Sequence, residues 1–307
     1  MDGVRPDILA CIGNTSLVAL RNILPENGSR VLLKMESENP TGSMKDRMAL
    51  AMIRAAEADG RLEPGGSVVE YTGGSTGVSL ALICAVQGYR LDIVTSDAFA
   101  RDKLEHMRRL GATLHIVPSD AGRMTERLTR DMVEATRLIA ARTGGVWIDQ
   151  LNNSDQIQGY GTLGEEIWTQ AGGRIDGFVQ SVGTAGCLRG VAAVLRDRSP
   201  GVEIVAVEPA ESPVLSGGRT GAHRIDGIGA GFVVPLWHNG IADQIDHVST
   251  DEARAMVERL AREEGLFAGT STGANVIAAL RLAERLGPRA TVVTVLCDTG
   301  MKYLSRP

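Results

Sequence analysis

The chain has 307 residues, 43% of them apolar and 22% charged, with a formal net charge of −5. That length buries two cores of domain size, and no run of 18 or more apolar residues crosses a bilayer. Without a basic cluster the acidic balance gives nucleic acid nothing to grip, so small molecules are the expected partners.

Met1 to Pro6 lacks the basic start and apolar run of a signal peptide, which makes the cytoplasm the expected location. Gly13 to Leu17 reads as a turn and Val31 to Met35 as a strand. The next stretch, Asn39 to Arg47, ends an irregular loop and opens a helix, because Ser43 and Asp46 have capping-box spacing and Met48, Met52 and Ala55 recur at helical spacing. Lys45 thus falls at the positive end of a helix dipole, where it gives up its proton more easily than a solvated lysine does. A neutral amine attacks carbonyl carbon, so Lys45 is a candidate Schiff-base lysine. The plainer alternative is a surface lysine in a capped first turn. Competitors are few: the other lysines are Lys34, Lys103 and Lys302.

Beyond this helix the chain alternates. Val68 to Tyr71 reads as a strand, Thr72 to Gly77 as a turn, Val78 to Gln87 as a helix stopped by Gly88, and Leu91 to Thr95 as a strand. Helix Arg101 to Leu110, strand Thr113 to Val117, helix Thr125 to Arg142 and strand Val146 to Ile148 follow. Asp149 to Gly161 is polar and turn-rich and reads as the crossing between two lobes. In the second half, strand Gly177 to Ser181 runs into the turn Val182 to Cys187 and a helix from Leu188. Strand Glu203 to Val207, a helix capped by Ser249 and Glu252, helix Gly273 to Leu286 and strand Ala290 to Leu296 complete the pattern. Short buried strands separated by helices predict an α/β protein of two lobes, each a mostly parallel twisted sheet flanked by helices.

Two glycine-rich turns stand between a strand and a helix: Thr72-Gly73-Gly74-Ser75-Thr76-Gly77 and Gly183-Thr184-Ala185-Gly186-Cys187. Backbone N–H groups converge with a helix N-terminus at such turns and bind anions. Neither is a Walker loop or a GxGxxG fingerprint, so a nucleotide is not expected. The bland alternative is that they only let helices pack close to strands. One lysine at a helix start and two anion-binding turns suit a phosphorylated aldehyde, and pyridoxal phosphate fits that description. The five histidines have no metal-ligand spacing, and Cys11, Cys84, Cys187 and Cys297 form no CxxC pair; no metal is expected and the thiols are expected to be reduced.

Asn39 to Arg47, Thr72 to Gly77, Gly183 to Gly186, Glu208 to Gly218, Gly227 to Phe232, Gly269 to Ala274 and Tyr303-Leu304-Ser305 together resemble the cysteine synthase and cystathionine β-synthase family. This is the fold type II, tryptophan synthase β-like group of pyridoxal-phosphate enzymes. The resemblance implies that the cofactor lies in a cleft between a smaller lobe, residues 46–150, and a larger lobe formed by 1–45 with 151–307. It implies that Lys45 holds the cofactor and later removes the substrate α-proton. Thr72, Gly73, Gly74, Ser75 and Thr76 would bind the substrate carboxylate with Gln150, Ser75 also facing the cofactor. Gly183, Thr184, Ala185, Gly186 and Cys187 would hold the phosphate, Thr299 the pyridine nitrogen, and Gly227 would line the substrate side.

The implied reaction is β-replacement on an activated L-serine, with O-acetylserine and sulfide giving cysteine as the leading case. O-phosphoserine, serine or another nucleophile stands as the alternative, then elimination as in serine or threonine dehydratases, then a non-catalytic binding relative. A homodimer and a serine acetyltransferase partner are further implications. The chain departs from the family where Gly73 replaces serine, Ser75 asparagine, Ala185 glycine, Cys187 threonine and Leu151 phenylalanine. Those departures leave the acceptor substrate and nucleophile open.

Overall fold

A computed structural model describes residues 4–121 and 125–304. Met1 to Gly3 and Ser305, used above, lie outside the described residues. After a 3₁₀ turn at Ile8–Cys11 the chain forms strands β1 (Leu17–Ala19) and β2 (Arg30–Met35), helix α1 (Lys45–Ala58), β3 (Ser67–Tyr71), α2 (Ser75–Gln87), β4 (Arg90–Ser96) and α3 (Arg101–Arg109). Next come β5 (Thr113–Val117), α4 (Glu126–Thr143), β6 (Val146–Trp147), α5 (Gln156–Gln170), β7 (Gly177–Ser181) and α6 (Gly186–Arg198). The remainder is β8 (Glu203–Pro209), β9 (Gln244–Val248), α7 (Thr250–Arg259) running into a π-helical segment at Leu260–Glu264, α8 (Thr270–Leu286) and β10 (Thr291–Leu296).

These elements group into two compact units. One contains the described residues of Met1–Ile12, Lys45–Gln156 and Lys302–Pro307; the other contains Gly13–Met44 and Ile157–Met301. Both chain ends, grouped above with the larger lobe, cluster here with the smaller unit. That unit holds a four-stranded sheet in the order β5-β4-β3-β6, parallel throughout. Strand β3 is buried from Ser67 to Glu70, the near-continuous burial of a sheet covered on both faces. Helix α4 packs Leu128, Met132 and Ile139 against Val69 and Val94. Its N-terminus is capped by the Thr125 hydroxyl, which accepts the Leu128 N–H at 3.1 Å.

The second unit holds six strands in the order β1-β2-β10-β7-β8-β9. All neighbours are parallel except β1, which runs antiparallel to β2 at the edge. The central strand β10 is buried at every position, and α8 covers it with Val276, Ala279, Leu282 and Ala283. Each sheet ends its strands in short turns that open helices, so the carboxyl edges of β3 and β7 carry the two glycine-rich turns.

Helix α7 begins with a complete capping box: Ser249 Oγ accepts the Glu252 N–H and the Glu252 carboxylate accepts the Ser249 N–H at 2.8 Å. Replacing Ser249 by alanine removes that cap, and the expected loss is about 1 kcal/mol of unfolding free energy in a urea titration, with unchanged affinity for any small ligand.

Candidate active site

The smaller unit gathers Lys45, Thr72 to Thr76 and Gln150. Lys45 is the first residue of α1 and is partly buried. The next residue, Asp46, is fully buried and its carboxylate accepts the Ser79 hydroxyl at 2.5 Å, which fastens the start of α1 to α2. Strand β3 leads into the turn at Thr72, whose N–H donates to Val94 O at 3.0 Å and whose Oγ1 accepts the Gly74 N–H at 3.1 Å. Helix α2 starts at Ser75, so its first N–H groups have no acceptor within the helix and point from its positive end. The Thr76 hydroxyl donates to Gln150 Oε1 at 2.7 Å, leaving the Gln150 amide nitrogen 3.5 Å from Tyr71 O. The Thr72 to Thr76 turn and Gln150 are therefore one hydrogen-bonded group.

Two residues the sequence did not single out complete this group. Lys302, nearly buried, donates to Ser75 Oγ at 3.2 Å. It stands in the short 3₁₀ helix Gly300–Tyr303; in the same helix Tyr303 places its ring 4.4 Å from Lys103 Nζ on α3. Glu70, at the end of β3, accepts the Tyr71 N–H at 2.9 Å and the Gln150 N–H at 3.2 Å through its two carboxylate oxygens. Both contacts link positions 80 or more residues apart or bury a carboxyl group inside a strand, and neither leaves a local pattern in the sequence.

The larger unit carries the second turn. Strand β7 ends at Ser181, whose N–H donates to the buried Asn275 Oδ1 at 2.7 Å. The chain then turns through Ala185 in the left-handed region (φ 69°) and enters α6 at Gly186. A Cβ on Gly183 would lie 2.4 Å from the Gly227 carbonyl oxygen, so only glycine fits. The Gly229 N–H donates to Val182 O at 3.1 Å, which holds the Gly227 to Gly231 segment against the turn. Thr184 Oγ1 accepts the Gly186 N–H at 3.3 Å, while Cys187 is buried in the first turn of α6. Thr299 donates its N–H to Gly42 O at 3.0 Å, and its hydroxyl accepts the Met301 N–H at 3.3 Å. A second hydroxyl, Thr272, is fully buried by the same strand end and accepts the Cys297 N–H at 3.1 Å.

A phosphate ester fits this turn. Helix α6 supplies N–H groups without intrahelical acceptors, the turn presents backbone rather than side chains, and Ser181 Oγ at its entrance is buried with no protein partner. An aldehyde fits Lys45, the amine at a helix start. Among the described residues no group of His, Cys, Asp and Glu is arranged to hold a metal, and no helix is long and apolar enough to cross a membrane. The four cysteines are unbridged, and burial pushes the Cys84 thiol up to about 12.

Comparison with known proteins gives the same direction. Residues 8–298 match the family described as "Pyridoxal-phosphate dependent enzyme". A cysteine synthase of Staphylococcus aureus is 39% identical over 303 residues, 98% of this chain and 96% of the relative. Two crystal structures superpose closely. One, an O-ureido-L-serine synthase, is 36% identical with a TM-score of 0.92, covering 98% of this chain and 94% of the other. The second, a cysteine synthase from Entamoeba histolytica, is 33% identical with a TM-score of 0.94, covering 99% and 90%.

The environment of Glu70 has a measurable consequence. Burial raises its carboxyl from the ordinary 4.5 to about 8, the Asp149 charge adding to the rise while the Gln150 and Tyr71 N–H groups oppose it. Between these two values the folded protein keeps a proton that the unfolded chain releases, so stability falls as pH rises across that window. Glu70→Gln carries no titrating group. Whatever its absolute cost, its unfolding midpoint should lose much of the decline between pH 5 and about 8 that the parent shows in matched denaturant titrations.

Proposed function

The chain belongs to the pyridoxal-phosphate dependent enzyme family, within its cysteine synthase group, and on that premise we propose that it converts an activated L-serine to L-cysteine by β-replacement with sulfide. It is a transferase-class enzyme that uses pyridoxal 5′-phosphate. The observation that carries the reading is the pair of strand-to-helix turns, one joined to Gln150 and one built from Gly183 to Cys187, together with a lysine that opens a helix.

The bound cofactor supplies an electron sink that lets a bond at the substrate α-carbon break heterolytically. Lys45 would hold the cofactor through its Nζ, and the same amine, when free, would accept the substrate α-proton. Thr72, Gly73, Gly74, Ser75, Thr76 and Gln150 receive the α-carboxylate through backbone N–H groups of the turn and the Gln150 amide. Lys302 orients the Ser75 hydroxyl, which in relatives is an asparagine amide. Gly183, Thr184, Ala185, Gly186 and Cys187 receive the phosphate, with Gly227 closing over the substrate side. Thr299 serves the pyridine nitrogen, with Thr272 as the alternative hydroxyl at the same strand end. A neutral hydroxyl there would offer the ring nitrogen no acid to protonate it, a setting that would favour chemistry at the β-carbon. There the Cβ–O bond would break with its electron pair leaving on acetate, hydrosulfide would form the new C–S bond, and Lys45 Nζ would return its proton to the α-carbon to complete L-cysteine.

A second reading keeps the mechanism and changes the nucleophile. It is supported by the solved relative named O-ureido-L-serine synthase and by the altered carboxylate turn at Gly73 and Ser75. We extend to this chain, as part of the same proposal, a cytoplasmic homodimer that binds a serine acetyltransferase.

Purified enzyme should form cysteine fastest from O-acetylserine with sulfide, against O-phosphoserine and serine each tested with and without sulfide. Release of pyruvate alone from every amino acid would overturn replacement in favour of elimination. Lys45→Ala should abolish the visible band of the bound cofactor and lower turnover by on the order of 10³-fold or more, the scale of a lost acid–base group.

A further inference from the structure

The residue that replaces the serine of relatives in the carboxylate turn, Gly73, lies directly under an aromatic ring. A Cβ built on Gly73 would fall 1.8 Å from Phe99 Cγ, and 2.0 and 2.3 Å from its two Cδ atoms. These are the atoms at the root of the ring, so rotation about the outer bond cannot clear them; the whole side chain would have to leave. The ring is partly buried and backed by apolar side chains. Phe99 packs against the cluster of Val69, Val94, Leu128, Met132 and Ile139 between β3, β4 and α4, and its N–H is tied to Ser96 O at 3.2 Å. Gly74, by contrast, has open space where its Cβ would be, with nothing nearer than Thr72 Oγ1 at 3.9 Å.

We infer that Phe99 is the positioning residue of the carboxylate turn, its ring filling the volume a side chain at 73 would occupy and fixing Gly73 so that backbone N–H groups receive an amino-acid carboxylate. The inference rests on the reading of Thr72 to Thr76 as the carboxylate site. Its physical content is that the ring and a side chain at 73 compete for one volume. Phe99, partly buried and packed against the core of the unit, already fills it. Glycine at 73 is therefore not slack in the loop: the ring supplies the restraint that a Cβ would otherwise give, and the Thr72 hydroxyl on the Gly74 N–H supplies the rest. Carboxylate affinity then depends on packing behind the turn.

The pairing predicts strong coupling between two positions 26 residues apart, read in a double-mutant cycle of Gly73→Ser, Phe99→Ala and the two together, with Gly73→Ala as a milder second variant. Two quantities are measured: the melting temperature of the cofactor-free protein, and the affinity of the holoenzyme for a non-reacting amino acid, L-alanine or L-methionine, followed by the change in the cofactor spectrum. Gly73→Ser, and less severely Gly73→Ala, should lower the melting temperature and weaken amino-acid binding by about tenfold or more, cofactor affinity changing by less than about threefold. Phe99→Ala alone should weaken amino-acid binding too, by loosening the turn. Adding Phe99→Ala to Gly73→Ser should restore both quantities above the Gly73→Ser values, because the obstructing ring is gone. Losses that simply add in the double variant would overturn the pairing. Coupling seen in the melting temperature while no variant alters amino-acid affinity would overturn the carboxylate reading instead, and with it the positioning role.

Discussion

One buried amide fixes the larger unit's working edge. Asn275, fully buried on α8, accepts the Ser181 N–H at the end of β7 and donates to Val295 O at 2.9 Å near the end of β10. Those are the two strands from which the Gly183 turn and the Cys297 to Thr299 segment emerge. A parallel ladder leaves backbone groups without partners where neighbouring strands diverge, and each such group buried costs about 1–3 kcal/mol. Asn275 satisfies one of each kind and so sets where both turns begin. In the smaller unit Glu70 does the corresponding work, holding the N–H groups of Tyr71 and Gln150. A single polar side chain at the end of each sheet thus places the backbone from which each glycine-rich turn departs.

That arrangement explains how the turns tolerate their departures from relatives. Recognition through backbone N–H groups asks little of the side chains in the turn and much of what lies behind them. Cys187 in place of threonine removes a good donor, yet the helix start that supplies N–H groups is unchanged. Ser75 in place of asparagine is shorter, and Lys302 comes in to meet it. Gly73 and Ser75 lie in the turn proposed for the substrate carboxylate and Cys187 in the turn proposed for the phosphate, so only the first two bear on the choice of amino acid and nucleophile.

Much of this was legible because the relevant signals are local. Buried apolar runs gave β3, β4, β7 and β10, and Gly88 and Gly144, both left-handed, end α2 and α4 in the expected way. Helix α5 was hidden by its own glycines. Gly164 lies where a Cβ would come 2.9 Å from Val194, and Gly190 on α6 where one would come 2.5 Å from Ile157 O. Those residues let α5 and α6 approach closely, but in a sequence glycine and polar residues read as a turn. Strand β9 is half exposed and pairs only with β8, so it lacks the continuous apolar run of its neighbours. At the site, the lysine and the turns were visible as motifs. Phe99, Lys302, Glu70 and Asn275 were not, since their roles arise from contacts between distant positions.

The smaller unit is assembled from three separated stretches of chain, and the last of them contributes Lys302 to a turn at Ser75, 227 positions earlier. Closing so long a loop is entropically unfavourable until other contacts hold its ends near each other. On a ribosome the order of events is fixed: strands β3 and β4 with helix α2 emerge early, and the turn waits for its ammonium group through the synthesis of β7, β8, β9 and β10 of the second sheet. No nascent chain shorter than 302 residues contains the finished turn. A chain interrupted between β10 and Lys302 would hold the strands of both sheets and still lack the ammonium contact at Ser75, so that part of the site depends on a residue made after every strand.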